Sequence, residues 1–476
     1  MLLGEPPPHW RSLERSYQVC QRAHEQATST ATWLTEGGPR TQVGEDDFRL
    51  YFRIHPSEIG EIANGPPSLI ALHGSCVLER ALVYRLVSSL RECDAVVVTC
   101  SSDVDIVRSF RHKPAPQVLK ISLGTSLGIQ TGRPRALLRA ALHLDQDTRI
   151  VSCVSRLIPH KNAHIFLELV SQLRRRHKLM GILCGDYWDD YPSGIGGAAY
   201  REWLRDLFDS LKLERHLLRM DGSLSDDELS LLLGGSDILI HPSLAVDENY
   251  GFTPVEAVAC GTPVIATGYG GMKDNVVHGL TGLKVRTWVT DTGARADFRS
   301  ILACADGLLG DDAKLSEMRE GCIVARGAFS PDDAVSALAS MIHHLVALHA
   351  SGHRRQCVAP PLDPILRSSR WAVEGMEATW PQLEPSVAQY ASSPDPVNAR
   401  QFTAVRRFGR QTLRDGRLSV VAPDVRFSGP VAPDEADLLE GVGDQWLPVE
   451  SLGRAQLDVV TRLLRAGVLT ATQSAP

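Results

Sequence analysis

The sequence predicts an α/β protein with two Rossmann-like domains and a small α+β module near its C-terminal end. Between residues 68 and 285, short β-branched apolar runs alternate with segments of helical periodicity, which is the pattern of parallel α/β units. Seven such runs are candidate strands, and a single small sheet contains fewer strands than that. The 476 residues are also enough for two or three domains.

The candidate strands are rich in valine, isoleucine and leucine, which pack well on a pleated surface. A short helix led by Pro134 separates the first three runs from the last four. Parallel strands joined by helices form one sheet per block, so we expect two sheets. The predicted strands cover residues 68–72, 95–99, 118–122, 149–155, 179–184, 238–241 and 264–267.

Capping signals mark the helices between these strands. Ser225 and Glu228 form a Ser-x-x-Glu capping box, and Thr253 and Glu256 form a second one, with Pro254 at the first helical position. These local signals agree with the α/β pattern.

Two further helices are predicted from the same kinds of signal. Asn162 is the predicted N-cap of a helix with an apolar stripe. A long helix is expected to follow Ser330 and to reach about residue 350.

We expect four segments along the chain. Residues 1–135 form a first Rossmann-like domain, and residues 136–350 form a second. Residues 351–400 form a linker or irregular segment rich in proline, serine and arginine, and residues 401–476 form a small winged-helix-like module. The start shows no apolar strand and no glycine-rich loop, so either the first domain is shortened or the start lies inside a longer gene product.

Composition and charge exclude several classes of function. Fifty lysines and arginines against 56 acidic residues give a net charge of −6, so bulk charge attracts no nucleic acid. The ten cysteines include no C-x-x-C pair and are expected to be reduced core residues. We find no signal peptide and no run of about 20 apolar residues, so a cytoplasmic protein is expected.

The most informative stretch is residues 242–257, which reads as a strand end, a loop with Glu248, and a helix start. Gly251 lets the backbone approach a ligand closely, and the free amides of a helix N-terminus suit a phosphate. Gly251, Phe252 and Thr253 are therefore candidate phosphate ligands. Taken alone, Glu256 is equally well explained as a capping residue, and Glu248 as a solvated loop acid.

The combined spacing is more specific. Glu248-x7-Glu256, the run to Thr267 and then Gly270-Gly271 closely resemble the donor-site signature of retaining GT-B glycosyltransferases of family 4. Residues 236–243 and 279–283 fit the same pattern. The resemblance implies two Rossmann-like domains facing a cleft, with a nucleotide diphosphate sugar bound in the second domain and the acceptor approaching from the first.

Two other stretches are similar to this family. Residues 154–162 resemble its Gly-Arg-Leu…Lys-Gly segment, and they place Arg156 and Lys161 on one loop, where a guanidinium fork and a point charge could hold a diphosphate. Taken alone, these two residues would be surface charges. His73 ends a strand in the first block; by itself it would be a structural histidine, but the resemblance implies that it reaches the donor sugar.

The resemblance implies transfer of a sugar to an acceptor hydroxyl with retention of configuration, without metal or a cofactor beyond the donor. The implied roles are catalytic for His73 and Glu248, diphosphate binding for Arg156, Lys161, Gly251, Phe252 and Thr253, and ribose binding for Glu256. Whether Glu248 is a nucleophile stays open at this point. Cys184-Gly185-Asp186 departs from the family, in which Gly-x-Gly is common.

Two alternatives remain: a catalytically silent sugar-nucleotide-binding partner or regulatory subunit, and epimerisation of a sugar nucleotide. The acceptor is a saccharide, a lipid-linked sugar or a natural product, and peripheral membrane contact is compatible with the sequence. For residues 401–476 we expect a partner-protein or an acceptor-presenting role rather than DNA binding, because residues 434–440 are acidic.

Overall fold

The computed structural model describes residues 1–4, 11–29, 31–33, 40–72, 75–128, 134–190, 193–362, 369–374 and 380–474. The chain forms two compact units. The first comprises Met1–Ser126, Asn249–Phe252 and Gly327–Pro364, and the second comprises Leu127–Glu248, Thr253–Arg326 and Ile365–Pro476. Each unit is built around one parallel sheet.

The first unit contains a five-stranded parallel sheet in the order β1-β4-β5-β6-β7, and β2 and β3 form a separate antiparallel pair. The strands are β1 (Leu2–Leu3), β2 (Ala31–Trp33), β3 (Arg40–Gln42), β4 (Arg49–Tyr51), β5 (Ser68–Ala71), β6 (Ala95–Val98) and β7 (Gln117–Lys120). The helices are α1 (Arg11–Ser29), α2 (Ile59–Ile62), α3 (Ser75–Leu78), α4 (Arg80–Ser89) and α5 (Ser101–Ser109).

The start of the chain differs from the prediction. Leu2 and Leu3 form a short strand that pairs in parallel with Leu50 and Tyr51 of β4. The expectation of no opening strand was therefore wrong, because two apolar residues are too few to give a periodic signal.

The second unit contains a six-stranded parallel sheet in the order β10-β9-β8-β11-β12-β13, followed by the antiparallel hairpin β14-β15. Its strands are β8 (Arg149–Val154), β9 (Leu179–Gly185), β10 (Leu217–Asp221), β11 (Ile238–His241), β12 (Val264–Thr267), β13 (Gly282–Val285), β14 (Thr287–Thr290) and β15 (Gly293–Ala296). Its helices are α6 (Pro134–Ala141), α7 (Ala163–Leu173), α8 (Gly197–Ser210), α9 (Asp226–Gly235), α10 (Phe252–Ala259), α11 (Met272–Asn275), α12 (Phe298–Leu309) and α13 (Asp312–Ala325).

All seven predicted strands are present, with ends that differ by at most two residues. The capping box of α9 is also confirmed: the Glu228 amide donates to Ser225 Oγ at 3.3 Å, and the Ser225 amide donates to Glu228 Oε2 at 2.8 Å. Sequence reasoning missed β4, β10 and β13. β4 has three residues, and β10, with the sequence Leu-Leu-Arg-Met-Asp, lies at the edge of the sheet and shows only weak periodicity.

The long helix α14 (Pro331–Ala350) begins and ends where predicted, with the Asp332 amide bonded to Ser330 Oγ at 3.2 Å. It packs against α1 and therefore belongs to the first unit, although the predicted second domain extended to residue 350. A ring nitrogen of His343 lies 2.9 Å from the carbonyl oxygen of Ala27. The helical periodicity did not show which sheet the helix would cover.

The C-terminal residues add a four-stranded antiparallel sheet, β16-β20-β19-β18, and a three-stranded one, β21-β17-β22. The segment predicted as a linker has more structure than expected, since it carries β16 and α15. These elements are β16 (Ala372–Glu374), α15 (Trp380–Tyr390), β17 (Ala404–Arg407), β18 (Arg410–Arg414), β19 (Arg417–Val421), β20 (Arg426–Pro430), α16 (Pro433–Gly441), β21 (Leu447–Pro448), α17 (Arg454–Ala466) and β22 (Leu469–Thr472).

The fold is therefore α/β with two Rossmann-like units and a small α+β module, as predicted for the GT-B type. All ten cysteines are free thiols and nine of them are buried, which agrees with the prediction of reduced core residues. Among the helices of the described ranges, none combines the length and the apolar character that a membrane crossing requires.

Candidate functional site

The candidate site lies where β8 and β11 end. These strands pair in parallel, with Val151 opposite Ile238, so the loops that follow them emerge at the same edge of the sheet. Two ion pairs join the loops. Arg156 Nη2 lies 2.7 Å from Asp247 Oδ2, and Lys161 Nζ donates to Glu248 Oε2. The structure thus brings together the two predicted diphosphate-binding cations and the predicted catalytic Glu248.

The loop after β8 is held in place by backbone bonds and by Asn162. This residue occupies the predicted N-cap position of α7, but its side chain makes no capping hydrogen bond. Its backbone is left-handed, with φ of 59°, and its Nδ2 instead donates to the carbonyl oxygen of Pro242 at 2.8 Å. The Leu244 amide donates to the carbonyl oxygen of His160 at 2.8 Å. Asn162 therefore joins the two loops rather than capping the helix.

Glu248 is a buried and ionised carboxylate. Only 6% of the residue is exposed, and Oε2 accepts hydrogen bonds from Lys161, from Ser243 Oγ at 2.5 Å and from His241 Nε2 at 3.2 Å. Burial alone would raise the pKa of Glu248, but Lys161 and His241 hold it well below its usual range. The interpretation of Glu248 as a solvated loop acid is wrong.

The two cations differ in exposure. The Lys161 side chain is 8% exposed, whereas that of Arg156 is 29% exposed. Burial opposes the charged form of Arg156, but the Asp247 carboxylate outweighs this effect, so the pKa of Arg156 is raised. Lys161 is therefore not a surface charge, and Arg156 retains partial access to solvent.

Glycine at position 270 fixes the main chain of Glu248. Gly270 has φ of 52°, and a Cβ atom there would lie 2.0 Å from the carbonyl oxygen of Glu248. The next residue, Gly271, donates its amide to that same oxygen at 2.9 Å. The Gly-Gly pair thus allows a backbone contact that a side chain would prevent.

A second close approach explains the departure at residues 184–186. Gly185 has φ of 150°, and a Cβ atom there would lie 1.8 Å from the carbonyl oxygen of Ser155. The Leu157 amide donates to the carbonyl oxygen of Asp186 at 2.7 Å. Glycine is thus required at position 185, next to Arg156, while the loop accepts aspartate at position 186.

The helix that follows the Glu248 loop starts earlier than predicted. α10 begins at Phe252, directly after Gly251 with φ of 76°, so Thr253 lies within the helix and is not its cap. Gly251 and Phe252 belong to the first unit, whereas Thr253 and Glu256 belong to the second. Glu256 is 3% exposed. The predicted catalytic His73 lies outside the described residues.

Sequence reasoning missed four polar residues of this site: Asp247, His241, His160 and Asp190. His160 Nδ1 lies 2.5 Å from Asp190 Oδ2, and Ser193 Oγ donates to the same oxygen at 2.7 Å. Burial would lower the pKa of His160, but Asp190 outweighs this effect and raises it. One signal was available: His241 ends β11 and Asp247 lies in the loop after it, at the carboxyl end where sites form in parallel sheets.

Comparison with known proteins agrees with this geometry. Residues 134–303 match the family model described as glycosyl transferases group 1. Residues 134–303 are therefore similar to the glycosyl transferases of group 1. The matched range includes Arg156, Lys161, Glu248 and Glu256, so the resemblance read from the sequence is confirmed. Retention of configuration stays a prediction.

The curated relatives of this domain include D-inositol 3-phosphate glycosyltransferases. The Mycolicibacterium gilvum protein is 30% identical over 207 residues, 42% of this chain and 44% of that protein. The Mycolicibacterium vanbaalenii protein is 29% identical over 264 residues, 55% of this chain and 56% of that protein. The chain thus spans about half the length of the curated relatives that it matches.

Two solved structures have weaker similarity. Anabaena HepE in complex with UDP-glucose has a TM-score of 0.49 and 19% identity, covering 68% of this chain and 80% of HepE. Sucrose-phosphate synthase from Thermosynechococcus elongatus has a TM-score of 0.49 and 21% identity, covering 64% of this chain and 74% of the synthase. Because these identities and TM-scores are low, the fold is assigned from the strand orders described above and not from these two structures.

Proposed function

We propose that this protein transfers a sugar from a nucleotide diphosphate sugar to an acceptor hydroxyl, with retention of anomeric configuration. The observation that carries the proposal is the pairing of Arg156 and Lys161 with the Asp247-Glu248 segment at the carboxyl edge of the second sheet. Two cations and a buried carboxylate at such an edge suit a ligand that carries both a diphosphate and sugar hydroxyls.

Arg156 and Lys161 bind the donor diphosphate in this proposal. Arg156 presents a planar fork, and its partner Asp247 is 26% exposed, so a phosphate group can replace Asp247 at the guanidinium. Lys161 is held by Glu248 beside it and needs little rearrangement. Cations positioned in advance stabilise the leaving diphosphate more effectively than mobile ones. No divalent metal is required for this step.

The proposed transfer takes place on one face of the sugar. The bond between the anomeric carbon and the diphosphate oxygen breaks, the acceptor oxygen bonds to that carbon from the same side, and the acceptor proton moves to the leaving phosphate. Glu248 is ionised, and three donors hold its Oε2. This favours electrostatic support of the developing positive charge over nucleophilic attack, because three hydrogen bonds make a carboxylate a weaker nucleophile.

The remaining assignments follow the family pattern. Glu256 accepts hydrogen bonds from the ribose hydroxyls, the amides of residues 251–253 contact the diphosphate, and His73 orients a sugar hydroxyl. The family match lies in residues 134–303, so it supports the donor half of the reaction. The curated relatives are named for D-inositol 3-phosphate. For this chain we propose a hydroxyl of a saccharide, a lipid-linked sugar or a natural product.

A second candidate function is binding of a sugar nucleotide without transfer. One observation favours it: Lys161 and Glu248 are 7% and 6% exposed and already paired, so the site is satisfied without a ligand. Under this alternative the protein acts as a regulatory or partner subunit.

One experiment separates the two candidates. Release of nucleoside diphosphate is measured for a panel of sugar nucleotides, with and without an acceptor extract, in the presence of a metal chelator. Transfer predicts acceptor-dependent release that Arg156→Ala lowers roughly 100- to 1,000-fold. Arg215→Gln, at an exposed arginine elsewhere in the unit, should leave the release unchanged. Thermal stabilisation by a sugar nucleotide with no release supports the silent alternative. No stabilisation and no release would contradict both.

A further inference from the structure

A second charged cluster lies at the opposite edge of the six-stranded sheet. Asp237 immediately precedes β11 and is fully buried. Its Oδ2 accepts hydrogen bonds from Arg139 Nη2 at 2.6 Å and from the Ile150 amide at 2.7 Å, and its Oδ1 accepts one from Arg135 Nη2. Asp237 thus anchors the starts of two strands and two arginines of α6.

The cluster has more positive than negative charge. In the part of the chain that the structure describes, a third guanidinium, that of Arg319 on α13, donates only to main-chain oxygens, those of Ser236 and of Gly261 at 3.3 Å. Within the described ranges, the buried Nε atoms of Arg135 and Arg319 have no acceptor. Burial and the neighbouring Arg135 lower the pKa of Arg319 to about 10, as expected for a cation that lacks an anion.

These arginines line a cavity of about 480 Å³. This volume falls within the range of small-molecule sites. The described wall residues also include Gln146 and Ile323, and none of them is acidic. Asp237, which pairs with Arg135 and Arg139, is not among the described wall residues. Of the three guanidinium groups around this cavity, two pair with Asp237, and that of Arg319 donates to main-chain oxygens.

We propose that this cavity binds a small phosphate-bearing anion, such as a sugar phosphate, at a site separate from the donor site. Guanidinium groups match the geometry of phosphate oxygens and remain charged when partly buried. Arg135 is 42% exposed on its side chain, so a ligand reaches it without unfolding α6. The cavity lies at the amino ends of the strands, whereas Arg156 and Lys161 lie at their carboxyl ends.

Isothermal titration with inorganic phosphate and with glucose 6-phosphate, at constant ionic strength, tests the proposal. Ile323→Glu places a carboxylate in the cavity wall while keeping all three arginines, and its exposure of 43% makes this change compatible with folding. Val324→Glu is the matched control, because Val324 is the next residue of α13, is 79% exposed and is not among the described wall residues.

We expect Ile323→Glu to weaken phosphate binding about tenfold or more, and Arg135→Gln to do the same through loss of a charge-assisted contact. Val324→Glu should bind as the wild type does, and Arg156→Ala should keep the phosphate binding that Ile323→Glu loses. Binding of inorganic phosphate alone would support a phosphate site too small for the sugar. Equal affinities of Ile323→Glu and Val324→Glu, loss of binding in Arg156→Ala, or no binding of either probe at about 10 mM would overturn the proposal.

Discussion

The two edges of the six-stranded sheet use arginine in opposite ways. At the carboxyl edge, Arg156 and Lys161 each have a carboxylate partner, and the charges balance. At the amino edge, Arg135 and Arg139 share Asp237, and Arg319 lines the same cavity and donates to main-chain oxygens. Where every cation is paired with a carboxylate, the ion pairs hold the loops in position, and a bound ligand must replace one of the carboxylates. A site with excess cations gains a missing partner from its ligand. The two edges should therefore respond differently when a charge is removed.

The largest effect is expected at the buried pair of the carboxyl edge. Lys161→Ala leaves the Glu248 carboxylate buried without its cation, so the free energy of unfolding should fall by about 3 to 5 kcal/mol. Lys161→Met combined with Glu248→Gln should restore most of this loss, since no uncompensated charge remains. Urea denaturation of the wild type, the single variant and the double variant measures these free energies of unfolding. If the single and double variants were equally stable, the pair would not be held as described.

Arg156→Ala should affect turnover strongly and stability weakly. The pair with Asp247 is partly exposed, so the free energy of unfolding should change by no more than about 1 kcal/mol. Loss of a preorganised donor to the leaving diphosphate should reduce turnover roughly 100- to 1,000-fold, about 2.7 to 4 kcal/mol of barrier. Initial rates and urea denaturation are measured on the same preparation. Arg215→Gln should change neither.

The pH dependence of stability should reveal the His160–Asp190 pair. Because Asp190 raises the pKa of His160 in the folded protein, the pair contributes fully below the unfolded value of about 6.5 and is lost as pH rises through the folded value. Urea midpoints should therefore fall as the pH rises above about 6.5. Asp190→Asn should remove this part of the slope. If the urea midpoint of Asp190→Asn changed with pH as that of the wild type does, the His160–Asp190 pair would not be the source of this pH dependence.

Asp247→Asn should have the smallest effect, with the opposite sign. Asparagine competes less well than a carboxylate for Arg156, so nucleoside diphosphate should bind slightly more tightly, by about 0.5 to 1 kcal/mol. Calorimetric titration measures the change. Weaker binding would show that Asp247 helps to hold the ligand rather than competing with it.

The sequence predicted the seven strands well, because apolar runs are local features. The donor-site roles read from the Glu248-x7-Glu256 spacing stay predictions. The sequence did not predict which charged side chains form ion pairs with one another. The pairing of Arg156 with Asp247 depends on β8 lying beside β11, a contact between residues 91 positions apart. The cluster at Asp237 was missed for the same reason, since its arginines come from α6 and α13. Segments with weak periodicity, such as β10 and α15, were missed because their burial depends on distant partners.

The central claim is that Arg156 and Lys161 hold the donor diphosphate at the carboxyl edge of the second sheet. Calorimetric titration of the wild type and Arg156→Ala with a panel of nucleoside diphosphates tests it most directly, without requiring a known acceptor. We predict that at least one nucleoside diphosphate binds the wild type, and that Arg156→Ala binds it about tenfold more weakly or worse. Equal affinity in the two proteins would contradict the account.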